Sequence, residues 1–464
     1  MLKRQVLQLC GRCGRVVLSC VALRLVVLRL WPSVAWLDGA MVEMGFQEVF
    51  RREVLYQWTL GWLKARFLYP RLARDVLVAG RAQSADYLYF SPKTYPDLVS
   101  EALALNEALA EGGVLVTLGT DRMGGPSCAE VFRQVFDVRG NLYLLGRLLG
   151  ELRYKLAVVR NTGGTFWALP IFLALVRTPF VYRPSGFINQ MTDEVHRCHL
   201  GDLSEAAQRL ERAVLGRTAL VIHNHDAAAI KSLERTLGVR ASRYVPVRPG
   251  LHPTLVARQT RYDWRPREEI SIVYCGGYAP PGSYISSNVD YLAYWKLLAD
   301  SGIHVHVYYS HTPRNSPRLA PVRDLLDGHP RFHLYDPVPV LRLFEEVQQY
   351  DFVWAYFKHS VDYVRPEFRR FVSANTCVAM GAGLPAVVNE HYEPLYSTVR
   401  QYGNGLALPS GLEAELPALL KAADRVALRQ AAAACREQFY FPGGPVAEAV
   451  RSVVTGVAWA GKDS

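Results

Sequence analysis

The sequence predicts an α/β protein built from two tandem Rossmann-like domains, preceded by a helical N-terminal segment. The chain has 464 residues, more than the ~250–300 at which a single hydrophobic core stops growing. Short apolar segments alternate with helical patterns twice, before residue 243 and again after residue 269. This alternation is typical of parallel sheets with crossover helices. Between the two series, residues 244–268 contain five Pro or Gly residues and no regular period, which indicates a linker.

We therefore divide the chain into five segments. They are a basic, apolar helical segment (1–82), a first Rossmann-like domain (83–243), the linker (244–268), a second Rossmann-like domain (269–440) and a C-terminal tail or helix (441–464). The apolar runs that predict the strands are 87–90, 114–118, 156–159, 180–182 and 219–222, then 271–274, 304–309, 332–334, 352–355, 386–388 and 406–408. Ligands of such sheets bind outside the carboxyl ends of the strands, so we expect a cleft between the domains there.

The composition is that of a folded protein in a reducing compartment. Half of the residues are hydrophobic and a fifth are charged, which excludes a disordered chain. The eight cysteines are scattered, and several lie in apolar runs, as buried free thiols do. We expect a cytoplasmic location. Cys10 and Cys13 form a CxxC pair without a second pair nearby, so no zinc site is expected there.

The positive charge is concentrated at the N-terminus. Of the net charge of +11, residues 1–82 carry +8, from thirteen Lys/Arg and five Asp/Glu. The rest of the chain has no basic stripe with interleaved aromatics, so we expect no nucleic-acid partner. The apolar run 16–30 contains Arg24 and Arg29, which argue against a membrane-spanning helix. Two interpretations of residues 1–37 stay open: a helix on an anionic membrane surface, or a helix packed on the protein itself.

The most informative stretch is residues 369–408. A helix of small residues leads to Gly383, where a left-handed residue would end it, and Pro385 follows closely. The apolar run 386–388 predicts a strand buried on both faces. Glu390, just past that strand, should face the cleft, and Gly403 marks the next turn.

This stretch resembles the donor half of GT-B glycosyltransferases, especially the family 4 group. The matching phrases are 381–388 and 403–406, and the resemblance extends in order over roughly 85–440. It implies transfer of a sugar from a nucleotide-activated donor, such as a UDP- or GDP-sugar, to a glycan or lipid-linked acceptor on the first domain. No D-x-D carboxylate pair stands in a suitable loop, so we expect a metal-independent reaction and no cofactor.

The chain departs from the family pattern at two places. Family members carry an Arg and a Lys in the loop after the first donor-domain strand, where this chain has 276–283 without a basic residue. Lys358, Arg365 and Arg370 are the replacement cations that we expect to stabilise the leaving diphosphate. The family's helical Lys and Glu correspond here to Asn375 and Val378, and a valine cannot accept a hydroxyl hydrogen bond.

These considerations give three groups of candidate residues. The donor side comprises Gly276, Gly277, Tyr278, Asn375, Gly383 and Glu390, and the acceptor side comprises Lys93, Asn161, Gly163, Arg183 and Ser185. The predicted catalytic residues are Asp121, His223, Lys358 and Arg365. Asp121 or His223 would serve as general base in an inverting reaction. A retaining reaction needs no such base, and the sequence does not decide between the two.

Two other functions stay open. One is a GT-B type sugar-nucleotide epimerase, which needs several cleft carboxylates, and few are visible here. The other is a catalytically silent GT-B protein that acts as partner or scaffold for an active transferase. The missing Arg/Lys pair and the missing Glu keep this second alternative open.

Overall fold

The computed structural model describes most of the chain. The described residues are 48–92, 94, 97–110, 112–119, 125–161, 168–184, 204–223, 244–276, 291–309, 312–355, 374–390, 392–409, 411–412 and 414–456, together with 35, 37, 41, 42 and 235.

Two parallel sheets form the framework, as the sequence predicts. The first contains β1 Ser84–Ser91, β2 Gly113–Thr117, β3 Gln134–Asp137, β4 Arg153–Asn161, β5 Phe180–Pro184, β6 Leu220–His223 and β7 Tyr244–Pro246. The second contains β8 Ser271–Gly276, β9 His304–Tyr309, β10 Phe332–Tyr335, β11 Phe352–Ala355, β12 Ala386–Asn389 and β13 Gly405–Leu408. Their strand orders are β3-β2-β1-β4-β5-β6-β7 and β10-β9-β8-β11-β12-β13. The first six strands of each half thus share the doubly wound 3-2-1-4-5-6 order, which confirms two Rossmann-like domains.

Helices connect the strands and extend the N-terminus. The described helices are α1 Glu48–Leu63, α2 Pro70–Arg81, α3 Leu98–Ala108, α4 Gly125–Val131, α5 Leu142–Glu151, α6 Leu169–Leu175, α7 Ser204–Arg217, α8 Pro253–Val256, α9 Tyr291–Asp300, α10 Ala320–Leu326, α11 Val340–Val347, α12 Ala374–Gly381, α13 Glu393–Tyr402, α14 Leu416–Ala422, α15 Arg425–Cys435 and α16 Gly443–Thr455. A π-helical turn, Lys64–Leu68, joins α1 to α2.

Both sheets are buried on both faces. Runs such as 156–159 and 386–388 are fully buried, and their alternate residues enter two different cores, for example Val158 and Val159. β-Branched and aromatic side chains suit such strands because they pack well on a pleated surface. The second sheet likewise has a core on each face.

The helical pair α1–α2 is an integral part of the first domain. Trp58 of α1 packs edge-on against Tyr143 of α5 at 5.3 Å between ring centroids. Gly146 permits this approach, because a Cβ atom there would lie 2.5 Å from the Trp58 ring. Asn141 caps α5 by accepting from the Leu144 amide, and its own amide donates to the Gly61 carbonyl of α1. The sequence predicts helices in this region but not where they pack.

Two chain crossings connect the domains. The linker passes from β7 to β8, and the chain returns through residues 436–441 to α16, which packs on α3 of the first domain. The crossings contact each other where the Phe441 amide donates to the Leu251 carbonyl. At this contact a Cβ atom on Gly250 would lie 1.8 Å from the Phe439 carbonyl oxygen. The C-terminal helix predicted within 441–464 is therefore part of the first domain's packing.

The sequence analysis missed two strands, β3 and β7. Both are edge strands of the first sheet. Only one of the four residues of β3 is buried, and β7 ends at a proline within the segment assigned to the linker. Edge strands need neither a continuous apolar run nor every backbone donor, so their sequence signal is weak.

Four cysteines lie in the described part of the chain, and all are buried free thiols, namely Cys128, Cys275, Cys377 and Cys435. The Cys10–Cys13 pair and the apolar run 16–30 lie outside the described residues. Within the described part, none of the helices is long and apolar enough to cross a membrane.

Candidate functional site

The strand order creates a switch point in each sheet. In the second sheet β8 and β11 are neighbours, but the chain leaves β8 towards β9 and leaves β11 towards β12, on opposite sides. In the first sheet β1 and β4 have the same relationship. Loops that diverge in this way leave a crevice at the carboxyl ends of the strands, where open α/β sheets bind ligands. We take the two switch points as the candidate site.

Asp351 holds the strands of the second switch point in register. Its carboxylate accepts from the Ser271 amide at 2.8 Å and from the Ser271 hydroxyl at 2.9 Å. Arg425 donates to the other carboxylate oxygen at 3.2 Å. Because Asp351 precedes β11 and Ser271 begins β8, this buried group ties the amino ends of the two strands together.

Gly276 ends β8 at the switch point and lies opposite Tyr309 of β9. A Cβ atom at this position would lie 2.4 Å from the hydroxyl oxygen of Tyr274, whose ring is buried. Packing therefore favours glycine here. A residue without a side chain also lets a ligand's phosphate approach the backbone closely. The structure confirms the predicted strand-end position of Gly276, and its contact with a donor stays a prediction.

Asn375 and Glu390 also lie at the carboxyl edge of the second sheet. Asn375 is in the first turn of α12, the helix that follows β11, and Glu390 is an exposed residue just after β12. Helix N-termini at such an edge attract anions. Asn375 and Glu390 therefore lie at the edge where the donor is predicted to bind, and their contact with it stays a prediction.

The structure places Gly383 away from the edge where the donor is predicted to bind. It has φ of 87° and follows the C-terminal end of α12, next to where β12 begins. The Gly383 amide donates to the Met380 carbonyl, and the Leu384 amide donates to the Ala379 carbonyl, which together form a Schellman cap. Because α12 runs away from the carboxyl edge, Gly383 lies at the opposite end of the sheet and terminates a helix there.

Val378, which replaces the family's helical Glu, is a packing residue. It is buried and belongs to a core that also contains Val340 of α11 and Val446 of α16. Its methyl groups face this interdomain core and cannot contact a ribose or a sugar. The departure noted in the sequence therefore has a structural role.

A buried ion-pair cluster lies beneath the carboxyl edge of the first sheet. Arg160 near the end of β4 donates to Asp97 at 2.9 Å, and Arg183 of β5 donates to Glu101 at 2.7 Å. Arg160 is also 3.7 Å from Glu101, and Arg183 is 3.8 Å from Asp97. The Tyr89 hydroxyl donates to the second oxygen of Glu101. All of these side chains are buried, so we call this set the buried ion cluster.

The role predicted for Arg183 was wrong, because the structure places this residue in the buried ion cluster. The sequence analysis placed its guanidinium on the acceptor side of the cleft, whereas the structure uses it inside the domain. Asn161, which follows Arg160, pairs with Pro184 at the edge itself. His223 ends β6, is buried, and its carbonyl accepts from the Val247 amide. His223 therefore lies at the predicted edge, and its role as a general base stays a prediction.

The opposite charges in the buried ion cluster stabilise the ionised forms of Asp97 and Arg160. Burial would raise the pKa of the Asp97 carboxyl, but Arg160 and Arg183 hold that pKa below its usual value. Burial would lower the pKa of the Arg160 guanidinium, but Asp97 and Glu101 raise it. Burial and the neighbouring Glu101 raise the pKa of Tyr89 well above its usual value. The Asp97 carboxyl and the Arg160 guanidinium are thus ionised at neutral pH, and the Tyr89 hydroxyl keeps its proton.

This arrangement predicts an acid-dependent loss of stability. The folded-state pKa of Asp97 lies below its unfolded value of about 3.9. Its contribution to stability is therefore complete above that value and is lost as pH falls through the folded-state pKa. Urea unfolding between neutral pH and about pH 3 should show a smaller pH-dependent decrease for Asp97→Asn than for the wild type. Parallel pH profiles of the two proteins would contradict the predicted shift.

Eight of the fifteen predicted site residues lie outside the described residues, namely Lys93, Asp121, Gly163, Ser185, Gly277, Tyr278, Lys358 and Arg365. In the sequence each comes after a described strand, and their roles stay predictions. Sequence reasoning missed Asp97, Glu101 and Arg160. The available signal was a pair of acids four residues apart at a helix start, facing two arginines at strand ends.

Comparisons with solved structures agree with this architecture. HepE from Anabaena, in complex with UDP-glucose, matches with a TM-score of 0.54 at 12% identity, covering 80% of this chain and 99% of that one. Sucrose-phosphate synthase from Thermosynechococcus elongatus matches with a TM-score of 0.52 at 13% identity, covering 81% and 99%. A proposed UDP-N-acetylglucosamine 2-epimerase from Listeria monocytogenes matches with a TM-score of 0.51 at 11% identity, covering 81% and 98%. No family model and no curated protein sequence matches the chain.

The protein therefore has the GT-B fold, with two Rossmann-like domains and a candidate site at their switch points. At these identities the likeness establishes the fold alone.

Proposed function

We propose that this protein is a glycosyltransferase that uses a nucleotide-activated sugar as donor. The observation that carries the proposal is the switch point between β8 and β11, where β8 ends at Gly276 and the chain after β11 continues to α12. Such a position suits a diphosphate, which accepts hydrogen bonds from backbone amides. HepE, one of the structural neighbours, was determined with UDP-glucose, which supports a UDP-sugar as the first donor to test.

The proposed reaction breaks the bond between the anomeric carbon and the diphosphate oxygen and forms a bond from that carbon to an acceptor hydroxyl. The bond electrons leave with the diphosphate, and the acceptor proton passes to a base or to the departing phosphate. Cations and helix N-termini stabilise the charge that develops on the leaving group. The acceptor, a glycan or a lipid-linked sugar, would bind along the first domain near Asn161 and His223.

Lys358 and Arg365 are proposed to supply the positive charge for the leaving diphosphate. They follow β11 in the chain, between the switch point and α12. Replacing either one with alanine should reduce kcat by about 10²-fold or more, as loss of one transition-state donor does. The control is Arg258→Ala, an exposed linker residue away from the carboxyl edge, which should leave turnover unchanged. Unchanged turnover in both single variants would show that the charge comes from other residues.

Turnover with a panel of sugar nucleotides separates the candidate functions. The proposed transferase releases free nucleoside diphosphate in proportion to glycosylated acceptor. The alternative function is that of a sugar-nucleotide epimerase, and the Listeria protein among the structural neighbours is described as one. An epimerase would change the sugar's stereochemistry with no net release of diphosphate. A silent GT-B protein would bind nucleotide without either change. Product analysis by NMR with UDP- and GDP-sugars therefore tests the proposal, and epimerised donor or absent chemistry would overturn it.

We also propose that residues 1–37 hold the enzyme at an anionic membrane surface, where a lipid-linked acceptor would be available. Basic residues contribute about 1 kcal/mol each near such a surface, and salt screens that attraction. Full-length protein should co-sediment with anionic liposomes more than a chain that starts at residue 40. High salt should reduce this difference without removing it, because the apolar contact remains. Equal binding by both proteins would favour the alternative of a helix packed on the protein.

A further inference from the structure

Three histidines meet at the end of the second sheet that lies opposite the candidate nucleotide site. His304 and His306 are two residues apart on β9 and therefore point to the same face. His333 lies directly opposite His306 in the register of β9 with the edge strand β10. All three side chains are half-buried, and one ring nitrogen of each lies within 4.8 Å of those of the other two. We call this set the histidine cluster.

The rings are held close together in a defined arrangement. Nδ1 of His304 is 3.0 Å from Nε2 of His333, and the ring centroids of His306 and His333 are 4.4 Å apart. The alternate residues of β9, Val305 and Val307, point to the other face of the sheet and enter the apolar core. The sheet therefore places three imidazole rings side by side on one half-buried face of β9 and β10.

Two of the rings also have the kind of outer partner that metal-bound histidines use. A carboxylate oxygen of Glu269 lies 3.4 Å from Nε2 of His304. The Tyr335 hydroxyl lies 3.0 Å from Nδ1 of His306. A carboxylate or hydroxyl on one ring nitrogen fixes the ring's orientation and leaves the other nitrogen for a metal.

We propose that His304, His306 and His333 bind one divalent transition-metal ion of the zinc class. Zinc–nitrogen bonds of about 2.0–2.1 Å place the nitrogens of a tetrahedral site roughly 3.3 Å apart. The His304–His333 pair is already near that separation, and rotation of the His306 ring closes the third. A water molecule would take the fourth position. Imidazole ligands suit zinc, copper, nickel and cobalt, and disfavour magnesium and calcium.

The site would stabilise the donor domain and leave the proposed chemistry untouched. Ser271 pairs with His304, Val273 with His306 and Gly276 with Tyr309, so the cluster lies about 10–17 Å along the strands from the candidate nucleotide site. A bound ion would join the edge strand β10 to β9 and, through Glu269, to the end of the linker. The proposal differs from the sequence expectation of no metal and does not depend on the proposed function.

The test uses untagged full-length protein that has been stripped with a chelator. Titration with Zn²⁺ at neutral pH should show one tight site per chain and a higher Tm on binding. The variants His304→Gln and His333→Gln should each weaken Zn²⁺ binding by about 10²-fold or more, and Glu269→Gln by about tenfold. His329→Gln is the matched control, because His329 lies just before β10 outside the cluster and should leave binding unchanged.

If a variant fails to fold, a spectroscopic measurement on the wild-type protein still tests whether the histidine cluster binds a metal ion. Co²⁺ bound to the wild-type cluster should show the intense visible bands of four-coordinate cobalt, and Zn²⁺ should remove them by competition. A spectrum of six-coordinate aqueous cobalt alone would overturn the proposal. Equal Zn²⁺ affinity in the wild type and in folded His304→Gln and His333→Gln variants would also overturn it.

Discussion

Replacing Glu101 with alanine is expected to destabilise the first domain by about 3–5 kcal/mol, the usual cost of removing one partner from a buried ion pair. Glu101 is paired with Arg183 at 2.7 Å and accepts a hydrogen bond from Tyr89. Its loss would leave the buried guanidiniums of Arg160 and Arg183 with Asp97 as their remaining carboxylate in the cluster. Urea unfolding followed by far-UV circular dichroism measures the change.

The control for this variant is Glu205→Ala. Glu205 pairs with Arg209 one turn away on α7, and both side chains are exposed. Exposed pairs of this kind contribute less than about 1 kcal/mol. If Glu101→Ala were no more destabilising than Glu205→Ala, the buried ion cluster would be hydrated in solution, and its structural role would be wrong.

Replacing Gly250 with alanine should destabilise the protein by about 3 kcal/mol or more, at the upper end of the range for overpacking. The new Cβ would lie 1.8 Å from the Phe439 carbonyl oxygen and 2.9 Å from its carbon. Both atoms belong to the backbone, so no side-chain rotation relieves the clash and the two interdomain crossings must separate. Thermal or urea unfolding of the purified variant measures the loss.

Gly444→Ala provides the comparison for this second variant. Gly444 lies near the start of α16, close in sequence to the same crossing, and a Cβ atom there meets nothing within 4 Å. Alanine in a helix is favoured over glycine by up to about 1 kcal/mol, so this variant should be neutral or more stable. A stable Gly250→Ala protein would contradict the tight contact between the crossings.

Local patterns predicted the second domain well. Its buried strands carry continuous apolar runs, and Gly383 is a left-handed helix cap as its spacing from Pro385 indicated. Cap chemistry and buried strands depend on neighbours in the chain, so a sequence contains their signal. The same reasoning assigned Gly383 a donor contact, because sequence spacing does not show at which end of the sheet a helix terminates.

Contacts between distant parts of the chain were not predictable in the same way. Arg183 meets Glu101 across 82 residues, and nothing local shows whether a strand-end arginine turns outward to a ligand or inward to an acid. The packing of α1 on α5 likewise depends on a glycine, Gly146, that reads as an ordinary helix residue. The histidine cluster needed the register of β9 with β10 before its members could be seen as neighbours.

The most direct test of the proposed function is equilibrium binding of nucleoside diphosphates to the folded protein. Isothermal titration with UDP, GDP, ADP, CDP and TDP should show one site per chain, with a clear preference for one base. Binding should weaken in Lys358→Ala and Arg365→Ala, which remove the proposed diphosphate cations, and it should persist in His333→Gln at the opposite end of the sheet. Absence of binding by all five nucleotides to wild-type protein with a cooperative unfolding transition would contradict a nucleotide-sugar site in this cleft.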